Sequence, residues 1–376
     1  MSAAHLYRSR LVLDGPQAAH VELDGRRLLS FCSNDYLGLA GDPRLVEALQ
    51  RGAARYGVGA GASHLVSGHR AAHQALEEEL AEFVGAERAL TFSTGYMANL
   101  AIAQVFAGRG DLVVEDKLNH TSLIDAGLLT RGTLRRYPHG DAGRARALLA
   151  DAGDGQGLLL SDAVFSMDGD IAPVEALVDA AAGQQALAVF DDAHGFGVLG
   201  PEGRGTLAYC GKAPRENVLM MGTLGKALGT HGAFVAGDEV LVETLLQKAR
   251  PYIYTTAAPP ALAEATRAAL DIARREEWRR DRLRALIGRF RAGAAELGLE
   301  PLDSETPIQP VMVGEPQRAL RMSEMLREAG ILVVAIRPPT VPAGTARLRV
   351  TFAADHTEDD VDRLLEGLAD AGRRGA

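Results

Sequence analysis

Two short segments of this 376-residue chain carry residue types suited to covalent amine chemistry. In Phe190-Asp191-Asp192-Ala193-His194 an apolar run ends on an aspartate, the position where open α/β sheets bind ligands. In Met221-Gly222-Thr223-Leu224-Gly225-Lys226 the next apolar run leads to a lysine beside glycines that permit close backbone approach. Taken singly, each has an ordinary reading, an aspartate capping a turn and a lysine solvated in a loop. A metal site at Asp191-Asp192-Ala193-His194 lacks a third and fourth ligand at a persuasive spacing, so no metal is expected. The lysine is not part of a P-loop, because Met220 stands at that motif's first glycine and Ala227 follows Lys226. The chain holds four lysines, Lys117, Lys212, Lys226 and Lys248, so few amines are available. Lys212 and Lys248 read as exposed charges and Lys117 as part of a solvated turn next to Asn119-His120. A lysine nucleophile with an upstream aspartate is the pair that pyridoxal phosphate requires: an amine for imine formation and a carboxylate that keeps the pyridine nitrogen protonated.

A phosphate site is also needed, and Phe92-Ser93-Thr94-Gly95-Tyr96-Met97-Ala98-Asn99 reads as strand, polar turn and helix start. That arrangement aims free N–H groups and the positive helix end at an anion. Gly57-Val58-Gly59-Ala60-Gly61 lacks the full dinucleotide fingerprint, with Ala62 at the last glycine position, which argues against a nicotinamide dehydrogenase. A non-catalytic binding or scaffold role stays open on composition, but it leaves Lys226 and Asp191 without a joint purpose.

The elements around these segments follow a βα rhythm from Asp42 to about Leu245, which predicts a mostly parallel sheet. Strands are expected at Ala89 to Phe92, Leu112 to Glu115, Leu158 to Ser161, Ala186 to Phe190 and Val218 to Met221. Helices are expected at Arg70 to Val84, Tyr96 to Phe106, Ser122 to Leu129 and Pro173 to Ala182. A long Arg-rich helical stretch follows, Ala261 to Leu297. The remainder reads as Gln309 to Val313 (strand), Gln317 to Ala329 (helix), Leu332 to Ala335 and Ala346 to Thr351 (strands) and Thr357 to Ala371 (helix), a small α+β domain. The expected division is 1–40 as an N-terminal segment, 41–270 as a large cofactor-binding domain, and 271–376 as a small C-terminal domain with its linking helix.

Composition excludes other classes. A net charge of -9, from 40 basic and 49 acidic side chains, offers no electrostatic attraction for nucleic acid or an anionic membrane. Cys32 and Cys210 have no C-x-x-C pairing, and no apolar stretch approaches the ~18 residues of a membrane span. The first ten residues lack the apolar core of an export signal, so the cytoplasm is the expected compartment.

The order and spacing of six segments resemble the α-oxoamine synthases, fold-type I pyridoxal-phosphate enzymes, over nearly the whole chain. These are Ser33-Asn34-Asp35-Tyr36-Leu37-Gly38-Leu39, the His120 segment, Val164-Phe165-Ser166-Met167-Asp168-Gly169-Asp170, Asp191-Asp192-Ala193-His194, Thr223-Leu224-Gly225-Lys226, and the run from Ala335 to Arg349. The resemblance implies an α/β transferase with a large domain whose sheet is sandwiched by helices and a small C-terminal α+β domain. It implies that Lys226 is the Schiff-base lysine for pyridoxal 5'-phosphate, Asp191 the partner of the pyridine nitrogen, His194 a hydrogen bonder to the phenolic oxygen, and His120 the residue stacked on the cofactor. Ser166 and Thr223 become cofactor contacts, Gly95 and Tyr96 backbone phosphate ligands, and Thr255 and Thr256 phosphate contacts of a neighbouring subunit in a homodimer with shared sites. Arg8, Asn34, His120, Thr340 and either Arg337 or Arg349 are implied for substrate. Ala163 stands where relatives usually carry glycine, and a packing adjustment is expected there. The activity implied is the decarboxylative condensation of L-alanine with a pimeloyl thioester of CoA or a carrier protein, as in biotin biosynthesis. The nearest rival within the family uses glycine with acetyl-CoA or succinyl-CoA.

Overall fold

Seven short strands, most of them buried along their length, make one sheet. Their order is Arg88–Phe92, Ala233–Gly237, Val218–Thr223, Leu187–Asp191, Gly157–Asp162, Leu112–Asp116 and Thr133–Tyr137. Four adjacent pairings are parallel, and Ala233–Gly237 runs antiparallel to both neighbours. Strands buried on both faces need apolar side chains at successive positions, which is why they appear as continuous apolar runs. On one face Val113, Leu160, Val189, Leu219 and Val235 pack with Ala98, Ala101 and Ile102 of helix Gly95–Phe106 and with Leu123 of helix Thr121–Leu129. The alternate residue Phe234 meets Phe196 edge-on, and Phe196 meets Phe83 of helix Ala71–Val84. The sheet is therefore covered by helices on both sides. The computed structural model describes residues 10–299 and 301–374.

The chain forms two compact units. One comprises Asp42–Phe165 and Ile171–Arg275 and contains the seven-stranded sheet; the other comprises the chain up to Gly41, Ser166–Asp170 and Glu276 onward. In the second unit Asp24 and Gly25, with φ of 52° and 71°, turn strand His20–Leu23 into Arg26–Ser30, a turn that favours Asp-Gly because both positions need positive φ. Ile331–Leu332 pairs parallel with Arg26–Ser30, while Val334–Ile336 pairs antiparallel with Ala346–Thr351. The expected single strand from Leu332 to Ala335 is thus two short strands in different sheets.

The stretch expected as one helical run after Pro260 is two helices, Pro260–Arg275 and Trp278–Glu296. The break falls at Glu276 and Glu277, whose carboxylates pair with Arg279 and Arg280 one turn further on. Arg280 is almost fully buried, and a buried guanidinium requires such a partner. At Ala163 the methyl group is buried. Its N–H donates to the Asp191 carbonyl at 2.8 Å, and its carbonyl accepts from Ala172 N–H at 2.9 Å.

Candidate active site

Parallel strands deliver their last residues to one edge of the sheet, and three neighbouring ones among them bring the polar side chains of the site. Asp162, Asp191 and Thr223 end adjacent strands, with Asp162 and Asp191 directly paired in register. Three residues past each of the last two ends stand His194 and Lys226, and their Nε2 and Nζ atoms are 2.8 Å apart. His194 is buried and Lys226 half-buried. Asp191 is also buried. Its Oδ1 accepts the Ala193 N–H at 3.0 Å and its Oδ2 accepts from Asn99 Nδ2 at 2.7 Å.

Asn99 extends this contact sideways. Its Nδ2 also donates to Ser122 Oγ at 2.8 Å, and Ser122 Oγ lies 2.7 Å from His120 Nδ1. The backbone of His120 is fixed separately, by donation of its N–H to Asp162 Oδ2 at 2.7 Å. Asp162 in turn donates its own N–H to Asn119 Oδ1 at 2.9 Å. Burial, reinforced by the Asp191 charge, holds the Asp162 carboxyl well above the usual carboxylate range. His120 as a whole residue is exposed, but its hydrogen-bonded ring edge lies among protein atoms. Desolvation there lowers the imidazole, opposed by Asp191 and aided by Lys226.

Helix Gly95–Phe106 is capped by Thr94, whose hydroxyl accepts the Met97 N–H at 3.2 Å. The amides of Gly95 and Tyr96 fall in the first turn, where a helix offers no internal acceptor. A Cβ on Gly95 would sit 3.2 Å from Met221 Cε, so the position is tight. Thr223 donates its hydroxyl to the Gly232 carbonyl at 3.1 Å. Thr256 forms an isolated bridge with Ser63, and Thr255 precedes it half-buried.

The remaining sequence-derived candidates belong to the other unit. There Arg349, buried, donates to the Ser166 carbonyl at 2.7 Å and to Asn34 Oδ1 at 3.2 Å. Among the described residues no carboxylate forms an ion pair with it. Arg347 differs, because Asp168 Oδ1 lies 2.5 Å from its Nη1. Asn34 sits in a turn closed by Asp35, whose oxygens accept the N–H groups of Leu39 and Ala40 at 2.9 Å, and burial pushes that carboxyl up to about 6. Thr340 is exposed, and its N–H donates to the Arg337 carbonyl at 3.1 Å. Arg8 lies outside the described residues.

His64, His69 and His73 bring ring nitrogens within 4.8 Å of one another, which by distance alone could hold a metal ion. His73 accepts the Arg70 N–H on Nδ1 at 3.0 Å, and its Nε2 lies 2.9 Å from the Ala258 carbonyl, so both its nitrogens are committed. His64 and His69 bond to each other through Nδ1 at 2.8 Å. Chelation would have to break these bonds.

Asn99, Asn119, Ser122 and Asp162 complete the cluster and were not singled out as site residues by sequence reasoning. Asn99 follows Gly95 by four residues and Ser122 follows His120 by two, so their local spacing was visible while their contacts were not. Asp162 ends its strand as Asp191 does, and that shared position was the available signal.

Comparison with known proteins shows the family. The aminotransferase class I and II family model matches residues 26–368. An 8-amino-7-oxononanoate synthase of Thioalkalivibrio sulfidiphilus is 57% identical over 375 residues, covering 100% of this chain and 95% of that protein. The solved 8-amino-7-oxononanoate synthase of Francisella tularensis superposes with a TM-score of 0.80 at 32% identity, covering 92% of this chain and 98% of that one. A serine palmitoyltransferase structure containing pyridoxal phosphate superposes with a TM-score of 0.93 at 28% identity, covering 97% of this chain and 93% of that one. The chain belongs to the class I and II aminotransferase family of pyridoxal-phosphate enzymes, and within it to the α-oxoamine synthases.

Proposed function

We infer that this chain condenses L-alanine with a pimeloyl thioester to give 8-amino-7-oxononanoate, carbon dioxide and the free thiol, a step of biotin biosynthesis. The observation that carries the reading is the Lys226–His194 pair at 2.8 Å beside Asp191, in a chain related to such synthases along its whole length. The side chains present fit pyridoxal phosphate. Lys226 offers an amine to the aldehyde, Asp191 a carboxylate to the ring nitrogen, His194 an imidazole to the phenolic oxygen, and the Thr94-capped helix its Gly95 and Tyr96 N–H groups to the phosphate. Ser166 and Thr223 belong to the same proposed cofactor shell. When bound, the cofactor supplies a sink for the electrons left at the amino acid's Cα.

The protein's own groups account for the remaining steps. With cofactor and alanine bound, the Lys226 amine would act as the general base that takes the Cα proton. The Cα then bonds to the thioester carbonyl carbon and the carbon–sulfur bond breaks, releasing the thiol. The carboxylate leaves as carbon dioxide, and a proton returns to Cα. Of the two candidates for the amino-acid carboxylate, Arg349 is favoured by its buried guanidinium and its neutral partners, the Ser166 carbonyl and the Asn34 amide. Arg337 is the alternative candidate for that carboxylate, and Arg8 and Thr340 are proposed to line the substrate site. The same reading includes a homodimer in which Thr255 and Thr256 reach the neighbouring subunit's phosphate, and action in the cytoplasm. No helix among the described residues is long and apolar enough to cross a membrane.

The test is competition between alanine and glycine at equal concentration against pimeloyl-, succinyl- and acetyl-CoA. Alanine with the pimeloyl thioester should dominate. Donor preference is limited to the ~1–3 kcal/mol that one methyl group supplies, whereas acceptor preference should be sharper, because a short acyl group cannot reach a partner for the distal carboxylate. Faster product formation from glycine with acetyl- or succinyl-CoA would move the chain to a sibling activity.

A further inference from the structure

We propose that Asn99 and Ser122 are positioning residues that hold the His120 imidazole as the neutral tautomer protonated on Nε2 and tie its orientation to the Asp191 carboxylate. The assignment follows from counting donors. Asn99 must turn its Nδ2 toward Asp191, because the reversed amide would press its oxygen against a carboxylate oxygen at 2.7 Å. The second hydrogen of that Nδ2 is then given to Ser122 Oγ at 2.8 Å. The Ser122 hydroxyl keeps a second lone pair, so the direction of its 2.7 Å bond with His120 Nδ1 is set by the other neighbour of that nitrogen. The Ser122 backbone N–H, which can only donate, points to the same Nδ1 at 3.2 Å. A ring nitrogen that accepts from an N–H carries no proton of its own, so the hydroxyl also donates to Nδ1 and the ring proton sits on Nε2.

The arrangement has a direction. Protonating Nδ1 would break the bond from the Ser122 N–H and force the hydroxyl bond to reverse, so the pair opposes the imidazolium, in the same sense as the desolvation that lowers this group. The charged groups acting on the ring are Asp191 and Asp125, which favour its charging, and Lys226, which opposes it. Asp162 accepts its backbone N–H. His120 is thereby kept as a hydrogen-bond donor through Nε2 rather than as a cationic acid. The consequence for turnover rests on the function proposed above; the tautomer does not.

The experiment uses the pyridoxal-phosphate-loaded protein with 15N-labelled histidine, the His120 signals being assigned by their loss in His120→Asn. Across neutral pH the wild-type protein should show a protonated, pyrrole-type Nε2 and an unprotonated Nδ1. In Ser122→Ala the preference between tautomers should fall by roughly tenfold, the scale of one hydrogen bond inside a protein. The imidazole pKa should rise, and the acid limb of kcat/KM should move to higher pH with KM for alanine unchanged. Ser122→Thr, which keeps the hydroxyl, should restore all three. A pyrrole-type Nδ1 in the wild-type protein overturns the assignment with no variant needed. So does a Ser122→Ala protein whose ring signals and pH profile match the wild type. Failure to turn over alanine with a pimeloyl thioester would sink the proposed activity while leaving the ring signals to decide the tautomer.

Discussion

Asp191→Asn keeps the size of the side chain and removes its charge and one acceptor, and the structure fixes what that costs. The two carboxylate oxygens accept from Asn99 Nδ2 at 2.7 Å and from the Ala193 N–H at 3.0 Å. An amide has one oxygen, so whichever way it turns, its NH2 group faces a donor in a buried place. An unsatisfied buried donor costs about 1–3 kcal/mol, which the cofactor-free protein should lose in urea unfolding. Toward the cofactor, a charge-assisted hydrogen bond becomes a neutral one of roughly half its strength. The difference of about 1.4 kcal/mol weakens cofactor binding roughly tenfold in an absorbance titration. The larger effect falls on chemistry, because the ring nitrogen loses the carboxylate that holds its proton. Exchange of the alanine Cα–H for deuterium, followed by NMR at saturating cofactor, should slow by more than about 100-fold. If the variant exchanged this hydrogen within about threefold of the wild-type rate, Asp191 would have no part in the electron sink and the reasoning would be refuted.

Lys226→Ala should abolish turnover, and borohydride reduction of the wild-type protein followed by peptide mapping should find the cofactor on the Lys226 peptide; attachment at Lys117 would refute the assignment. Asp192→Asn should flatten the pH dependence of stability. Burial pushes the Asp192 carboxyl up to about 7, although Thr206 donates to it through N–H and hydroxyl. The raised value means that its stabilisation is complete below the unfolded carboxyl's ~3.9 and is lost as pH rises through the folded value, a decline on the order of 4 kcal/mol. Urea unfolding between these limits should show a shallower decline in the variant, and an unchanged slope would remove Asp192 as its source.

The placement of Asp191 and Lys226 was legible because one ends and the other closely follows a strand made of a continuous apolar run, and an apolar run betrays its own end. Two strands of the seven-stranded sheet were not legible. Thr133–Tyr137 is an edge strand with exposed Thr133, Arg135 and Arg136, so it carries no apolar run. Ala233–Gly237 is flanked and ended by glycine, which in sequence reads as a loop, yet it is buried throughout. The break at Glu276 and Glu277 was hidden because glutamate and arginine both favour helix, and the i,i+3 pairs they form there with Arg279 and Arg280 are ones a continuous helix would also offer. The polar cluster was hidden for another reason. Asn99 meets Ser122 across 23 residues and Asp191 across 92, and no local pattern encodes contacts made when strand order brings separate segments together.

The pairing of Asp162 with Asp191 at adjacent strand ends shows how such a cluster divides its labour. Two buried carboxylates side by side repel one another, and the usual resolution is that one of them keeps its proton. Burial and the Asp191 charge raise Asp162, which pushes it toward the protonated form. In that form it can still accept the His120 backbone N–H on Oδ2 and so hold the histidine in place. Asp191 is met instead by two donors, Asn99 Nδ2 and the Ala193 N–H. The neighbouring acid therefore positions, while Asp191 supplies charge. Replacing Asp162 by a permanently charged group would set a second anion beside Asp191 and undo both roles at once.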